Sequence, residues 1–146
     1  GTGLAPFRGF IQERRFRQLA GKKVGPALLF YGCRGRDLDD MYRDEMDEYE
    51  KEGVVGIHRA YSRVKGADFR YIDSAIARFL DHVVSLWASG GVVRVCGGKK
   101  MSNSVFEVLG PALLERDRLD GKTDVTDVAE WKRNLPRGRY VEEIFL

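Results

Sequence analysis

The sequence predicts an α/β protein built on a doubly wound, mostly parallel sheet. Two observations lead there. Four short and nearly continuous apolar runs, Ala27–Cys33, Val54–Tyr61, Val92–Gly97 and Tyr140–Phe145, read as strands. Strands of a parallel sheet have this character because helices cover both of their faces. Between the runs lie segments with apolar residues every three or four positions, and strands alternating with helices are the signature of such a sheet.

The elements follow in order. Pro6 suits the first turn of an opening helix, and Phe7, Phe10 and Ile11 give that helix an apolar stripe. After the first strand, Leu38, Tyr42, Met46 and Tyr49 line one face of a second helix whose other face is acidic. After the second strand, Ile72, Ala75, Ile76, Phe79, Leu80, Val83, Val84 and Trp87 recur at helical spacing, one amphipathic helix of about four turns. Met101, Val105, Val108, Leu109, Ala112 and Leu113 mark another. Gly110-Pro111 should kink or split it, because proline removes a backbone donor and crowds the preceding turn. Val125, Val128, Trp131 and Leu135 mark a short last helix, with Thr123-Asp124 as its expected caps.

A chain of 146 residues is one domain, residues 1–146, by ordinary domain size. Its 43% hydrophobic and 32% charged residues describe a folded chain rather than a disordered one. The net charge of +3 is too small to argue for nucleic acid. It hides a pattern, however: residues 1–25 carry six basic groups and one acid, whereas residues 37–52 carry nine acids and two bases. The basic helix also has Phe7, Phe10 and Ile11 to bury, which argues against nucleic acid as a partner. The acidic run reads either as a cation-binding or partner-binding segment or, more plainly, as a solvated helix face. No apolar run approaches the roughly 18 residues of a membrane span. No basic-then-apolar leader is visible in the chain, and Cys33 and Cys96 lie far apart in apolar runs, a reduced-thiol pattern for which a cytoplasmic location is the expectation. No His or Cys cluster has metal-ligand spacing, so no metal is expected.

Parallel α/β sheets bind ligands at the carboxyl ends of their strands. That rule puts Gly32–Arg36, Tyr61–Arg63 and Cys96–Lys100 on one rim. Gly1-Thr2-Gly3 runs into a helix through Leu4-Ala5-Pro6, a turn whose amides can approach a pyrophosphate. Ser62 and Arg63 can hold a phosphate, and an arginine at this position favours a 2′-phosphate, hence NADP over NAD. Arg70-Tyr71 adds a charge and an aromatic face for adenine. Cys96, followed by Gly97-Gly98, can face a nicotinamide. Each has a plainer reading as well: an ordinary glycine-rich turn, a solvated loop arginine, and a small buried hydrophobe at a strand end.

Together these pieces resemble a known family. Gly1-Thr2-Gly3-Leu4-Ala5-Pro6-Phe7-Arg8-Gly9-Phe10 resembles the pyrophosphate-loop segment of the NADPH–cytochrome P-450 reductase (diflavin reductase) family. Tyr31-Gly32-Cys33-Arg34 with Asp37-Leu38-Asp39-Asp40-Met41-Tyr42-Arg43-Asp44-Glu45 resembles its next signature, and Ala60-Tyr61-Ser62-Arg63, Tyr71-Ile72, Val95-Cys96-Gly97 and Arg139-Tyr140 complete it. The match covers the whole chain in order, and it is most similar to self-sufficient fungal fatty-acid hydroxylases, in which a haem domain is fused to this reductase.

The resemblance implies the ferredoxin reductase-like NADP-binding domain of a flavoprotein reductase, truncated at its N-terminus. The family's first strand would precede Gly1, so it is expected to be missing here, and the FAD-binding domain would precede that. Gly1, Thr2 and Gly3 would bind the pyrophosphate. Ser62 and Arg63 would bind the 2′-phosphate with Arg34 beside them, and Tyr71 would lie near the adenosine. Cys96 would assist hydride transfer from the nicotinamide, Glu143 would support it, and Phe145 would cover the flavin ring. Four positions depart from the family pattern: Phe69 stands where lysine is usual, Gly98 where aspartate is common, Glu143 for aspartate and Phe145 for tryptophan. Arg70 or Lys65 is placed to substitute for the lysine. The expected cofactors are NADPH and FAD, with FMN and haem elsewhere in the intact protein. The expected partners are the FAD-binding domain of the same polypeptide and an FMN or haem domain as electron acceptor. The intact protein would be an NADPH–haemoprotein reductase, and the isolated chain would not catalyse the reaction. The alternative is a degenerate nucleotide-binding or interaction module without reductase activity.

Overall fold

A computed structural model of the chain describes residues 2–145, so Gly1 and Leu146 lie outside the described residues. The chain divides into two compact units, residues 1–75 and 76–146.

The first unit holds α1 (Leu4–Leu19), β1 (Leu28–Cys33), α2 (Arg43–Lys51) and β2 (Gly56–Tyr61), and α3 (Ile72–Arg78) begins within it. β1 and β2 are parallel, in register from Leu28↔Gly56 to Cys33↔Tyr61, so their carboxyl ends coincide. Leu29, Tyr31 and Cys33, alternating along β1, join Ile57 of β2 and Leu4, Ile11, Met46 and Tyr49 of the helices in one core. Each large apolar side chain buried there contributes about 1.5–3 kcal/mol. α1 closes where Gly21, at φ 73, takes the left-handed conformation that lets Lys22 N–H donate to Arg17 O at 2.9 Å. Of the expected apolar stripe on α1, Ile11 is buried and Phe7 packs against the core, but Phe10 is exposed. The basic residues of α1 reach across to the acidic helix: Arg8 pairs with Glu45 at 2.7 Å and Arg15 with Glu52 at 2.9 Å. α2 starts later than its apolar pattern suggests. Tyr42 adopts a left-handed φ of 55 immediately before it, and Leu38 is exposed in the loop that precedes it.

The second unit holds α4 (Leu80–Ala88), β3 (Val93–Gly98), α5 (Lys99–Leu119), α6 (Val128–Asn134) and β4 (Tyr140–Phe145). β3 and β4 are parallel, in register from Val93↔Tyr140 to Gly98↔Phe145. The expected single helix over 72–87 is two, because Phe79 leaves helical geometry at φ −107, ψ 22. By contrast, α5 runs unbroken for 21 residues through Pro111. Two features favour continuity over the expected kink. Val105, Leu109, Leu113 and Leu114 bury on both sides of the proline, and Gly110 lies against Val128, where a Cβ would stand 2.9 Å from its Cγ2. α6 is capped by Asp127, which accepts from Glu130 N–H at 2.8 Å, rather than by Thr123-Asp124. Thr123 Oγ1 instead accepts from Val125 N–H. Beneath these helices the carboxylate of Asp117, 5% exposed, accepts from both indoles, Trp87 Nε1–H at 2.8 Å and Trp131 Nε1–H at 2.9 Å.

The α/β class and the parallel pairing are those expected from the alternation of elements. Among the described residues the four strands form two parallel pairs, β1–β2 and β3–β4. No helix among them is long and apolar enough to cross a membrane.

Candidate functional site

In the first unit, the pairing of β1 with β2 continues past the strand ends. Ser62 N–H donates to Cys33 O and Arg63 N–H donates to Arg34 O, both at 2.9 Å. Three residues singled out in the sequence, Arg34, Ser62 and Arg63, are thereby brought to one strand edge, with both guanidiniums exposed. Tyr61 N–H donates to Phe69 O at 2.9 Å, which folds the intervening loop back beside β2. Arg70 and Tyr71 follow, with the guanidinium 5.4 Å from the ring centroid and the ring 55% exposed. Thr2 and Gly3 form the turn into α1, where Thr2 O accepts from Ala5 N–H at 3.3 Å and no side chain caps the helix. Gly1, the first residue of the glycine motif in the sequence, lies outside the described residues.

Two acids that the sequence offered only as members of the acidic run and of the family-like signature, not as site residues, hold this edge together. Asp39 Oδ1 accepts from the backbone N–H of Arg34 at 2.8 Å and of Gly35 at 3.2 Å, while its Oδ2 accepts from Arg34 Nε at 3.0 Å. Burial alone would raise the Asp39 carboxyl, but the Arg34 guanidinium and these amides hold it below the usual carboxylate range. The Asp40 carboxylate, 1% exposed, pairs with Arg59 Nε at 3.3 Å and accepts from Tyr61 O–H at 2.8 Å. Burial, reinforced by the Asp40 hydrogen bond, pushes the Tyr61 phenol up to about 12. One signal was available in the sequence. Arg59 and Tyr61, two apart on a strand, share a face, and a half-buried guanidinium there requires an anion.

In the second unit, the β3–β4 register sets Cys96 opposite Glu143, Gly97 opposite Ile144 and Gly98 opposite Phe145. The two residues expected to serve the nicotinamide are thus ladder partners. Cys96 is half-buried, Glu143 is exposed and Phe145 is 45% exposed. Burial, and then the Glu143 charge, push the Cys96 thiol up, so it keeps its proton at neutral pH. Gly97, at φ 155, admits no side chain without displacing Met101, whose Cε a Cβ would strike. Next to Glu143, Glu142 accepts from Ser102 Oγ–H and Lys132 Nζ–H, each at 2.7 Å. These bonds hold its carboxyl below the ordinary value, against the effect of burial.

Two guanidiniums and a hydroxyl on one strand edge, with an uncapped helix start after a glycine turn, fit the phosphates of a dinucleotide. A protonated thiol beside a carboxylate fits the neutral face of a redox ring.

Parallel α/β units with these donors at their strand ends define a nucleotide-binding oxidoreductase domain. The chain belongs to the oxidoreductase NAD-binding domain family, whose model matches residues 1–107. It is 49% identical over its whole length to a bifunctional cytochrome P450/NADPH–P450 reductase of Gibberella moniliformis. It is 46% identical, again over its whole length, to one of Alternaria alternata, and 35% identical over 99% of its length to one of Fusarium oxysporum. The chain spans 14% of the length of each of these relatives. The resemblance to the NADPH–cytochrome P-450 reductase family, and to its fungal fusions, is borne out.

Proposed function

We propose that the chain is the NADPH-binding module of a flavoprotein reductase and presents the nicotinamide for hydride transfer to FAD. One observation carries the reading. The hydrogen bond from Arg63 N–H to Arg34 O brings two exposed guanidiniums and the Ser62 hydroxyl to a single strand edge. An acid in that place would accept the ribose hydroxyl of NAD, whereas arginine suits the 2′-phosphate of NADP. Arg34 and Arg63 neutralise that phosphate and Ser62 donates a hydrogen bond to it. Tyr71 and Arg70 flank the adenine, and Gly1, Thr2 and Gly3 offer amides and a hydroxyl to the pyrophosphate.

When bound, NADPH supplies a hydride that FAD accepts, and the chain contributes binding, orientation and electrostatics. Cys96 presents an uncharged S–H to the nicotinamide, and Gly97, without a side chain, allows close approach of the backbone. Glu143 provides the negative charge beside the thiol, and Phe145 offers a face to the flavin ring. The relatives join a cytochrome P450 to an NADPH–P450 reductase, which supports a haem domain of the same polypeptide as electron acceptor; an FAD-binding domain, and FMN as an alternative acceptor, complete the proposal. The adjacent Arg34 and Arg63, and relatives that match over almost the whole chain, count against an interaction module without redox function.

The test is calorimetric titration of 2′,5′-ADP into the chain and into Arg63→Ala. Arg63→Ala is expected to bind about tenfold or more weakly, the effect of losing one charge-assisted contact. Equal affinity would refute the assignment of Arg63.

A further inference from the structure

We infer that the consecutive carboxylates Asp39 and Asp40 are positioning residues for 2′-phosphate selectivity: Asp39 fixes the guanidinium of Arg34, and Asp40 fixes the strand end that carries Ser62 and Arg63. The inference rests on the 2′-phosphate reading above.

Both oxygens of the Asp39 carboxylate accept hydrogen bonds. One oxygen takes the amides of Arg34 and Gly35, and the other takes Arg34 Nε–H. Among the described residues both Nη groups of Arg34 remain without a partner, and they are the end of the fork that grips a phosphate. An exposed arginine that is free to rotate loses side-chain entropy when a ligand orders it. Asp39 removes much of that loss beforehand, because it holds the side chain at Nε and the backbone at two amides.

Asp40 acts on the other strand. Its buried carboxylate holds Arg59 and Tyr61, and both precede Ser62-Arg63 on β2. Arg59 is tied a second time, through Nη2 to Asp47 at 2.7 Å. One dipeptide from the loop before α2 therefore anchors both phosphate-bearing strand ends.

The experiment titrates 2′,5′-ADP and 5′-AMP into the full chain and its variants, with thermal melting alongside. Asp39→Asn keeps the acceptor for the amides and removes the charge that orients Arg34. It is expected to weaken 2′,5′-ADP by about tenfold and to leave 5′-AMP within about twofold. Asp39→Glu should recover part of the loss. Tyr61→Phe, which keeps the buried Asp40–Arg59 pair, should weaken 2′,5′-ADP severalfold by freeing the Ser62 end. Tighter 2′,5′-ADP binding by Asp39→Asn would overturn the inference, because the carboxylate would then be a competitor of the phosphate. Equal loss for both ligands with a lowered melting temperature would overturn it too, as the mark of a purely structural role. Failure of the underlying reading looks different: Arg34→Ala and Arg63→Ala would both bind 2′,5′-ADP like the wild type.

Discussion

Arg63 and Cys96 make opposite demands on their surroundings. In the proposed role Arg63 acts by charge and shape at an exposed edge, so the geometry of its fork matters as well as its sign. Arg63→Lys keeps the charge and loses bidentate donation. Its affinity for 2′,5′-ADP should fall between those of wild type and Arg63→Ala, with a similar dependence on salt, as calorimetry at several ionic strengths would show. In the proposed role Cys96 acts as a neutral group. Burial and Glu143 raise its thiol, so serine, also neutral and a donor, preserves part of its role. Cys96→Ser in the intact enzyme should slow flavin reduction severalfold while leaving 2′,5′-ADP affinity unchanged; an unaltered hydride rate in stopped flow would remove Cys96 from the chemistry. Both residues stand out in the sequence because Arg63 follows β2 and Cys96 lies near the carboxyl end of β3, where α/β ligands bind. Asp39 and Asp40 do not. A buried acid and a solvated one look alike until their partners are known, and their partners, Arg34 and Tyr61, are donated by two different strand ends.

At the level of elements, what could be read depended on how local the cause was. The four strands declared themselves as short, largely apolar runs, the character of strands in a parallel sheet. Helix limits did not, because tertiary ties set them. Asp39 and Asp40 draw their segment into a loop, so the helix expected from Leu38 onward begins only at Arg43. The left-handed conformation of Tyr42 has no sequence signature, since tyrosine does not favour it. In α5 the local rule for proline gave way to packing on either side of it. That packing makes Gly110 a sharp test. A methyl group there would meet Val128 Cγ2 at 2.9 Å and the Phe106 ring at 3.0 Å. Gly110→Ala should therefore destabilise the second unit by about 1–3 kcal/mol, despite the better helix propensity of alanine. Urea unfolding would measure it, and a variant as stable as wild type would show that α6 can shift away.

For the whole molecule, the opposed charges of its two segments become internal structure, with a consequence for pH. Glu45 is held below its ordinary value of 4.5 by hydrogen bonds from Arg8 and Tyr49, and Glu52 by its bond from Arg15. Glu142 is also held below 4.5, by Lys132 and Ser102 in spite of burial. A depressed carboxyl binds its proton less readily in the folded chain than in the unfolded one. Its stabilisation is therefore complete above the ordinary value and is lost as pH falls through the folded value. Urea midpoints should be level near neutrality and decline as pH drops below about 4.5, with added salt reducing the contribution of the exposed pairs. A midpoint unchanged down to pH 3 would contradict these ties. The carboxylate of Asp117 has a consequence of another kind. It gathers both tryptophans of the chain, their ring centroids 5.8 Å apart, within residues 76–146. Five of the six tyrosines, at 31, 42, 49, 61 and 71, lie in residues 1–75. Excitation in the red edge of the ultraviolet band therefore makes the protein emit from one unit alone, and its natural fluorescence separates the two halves of the chain without an added label.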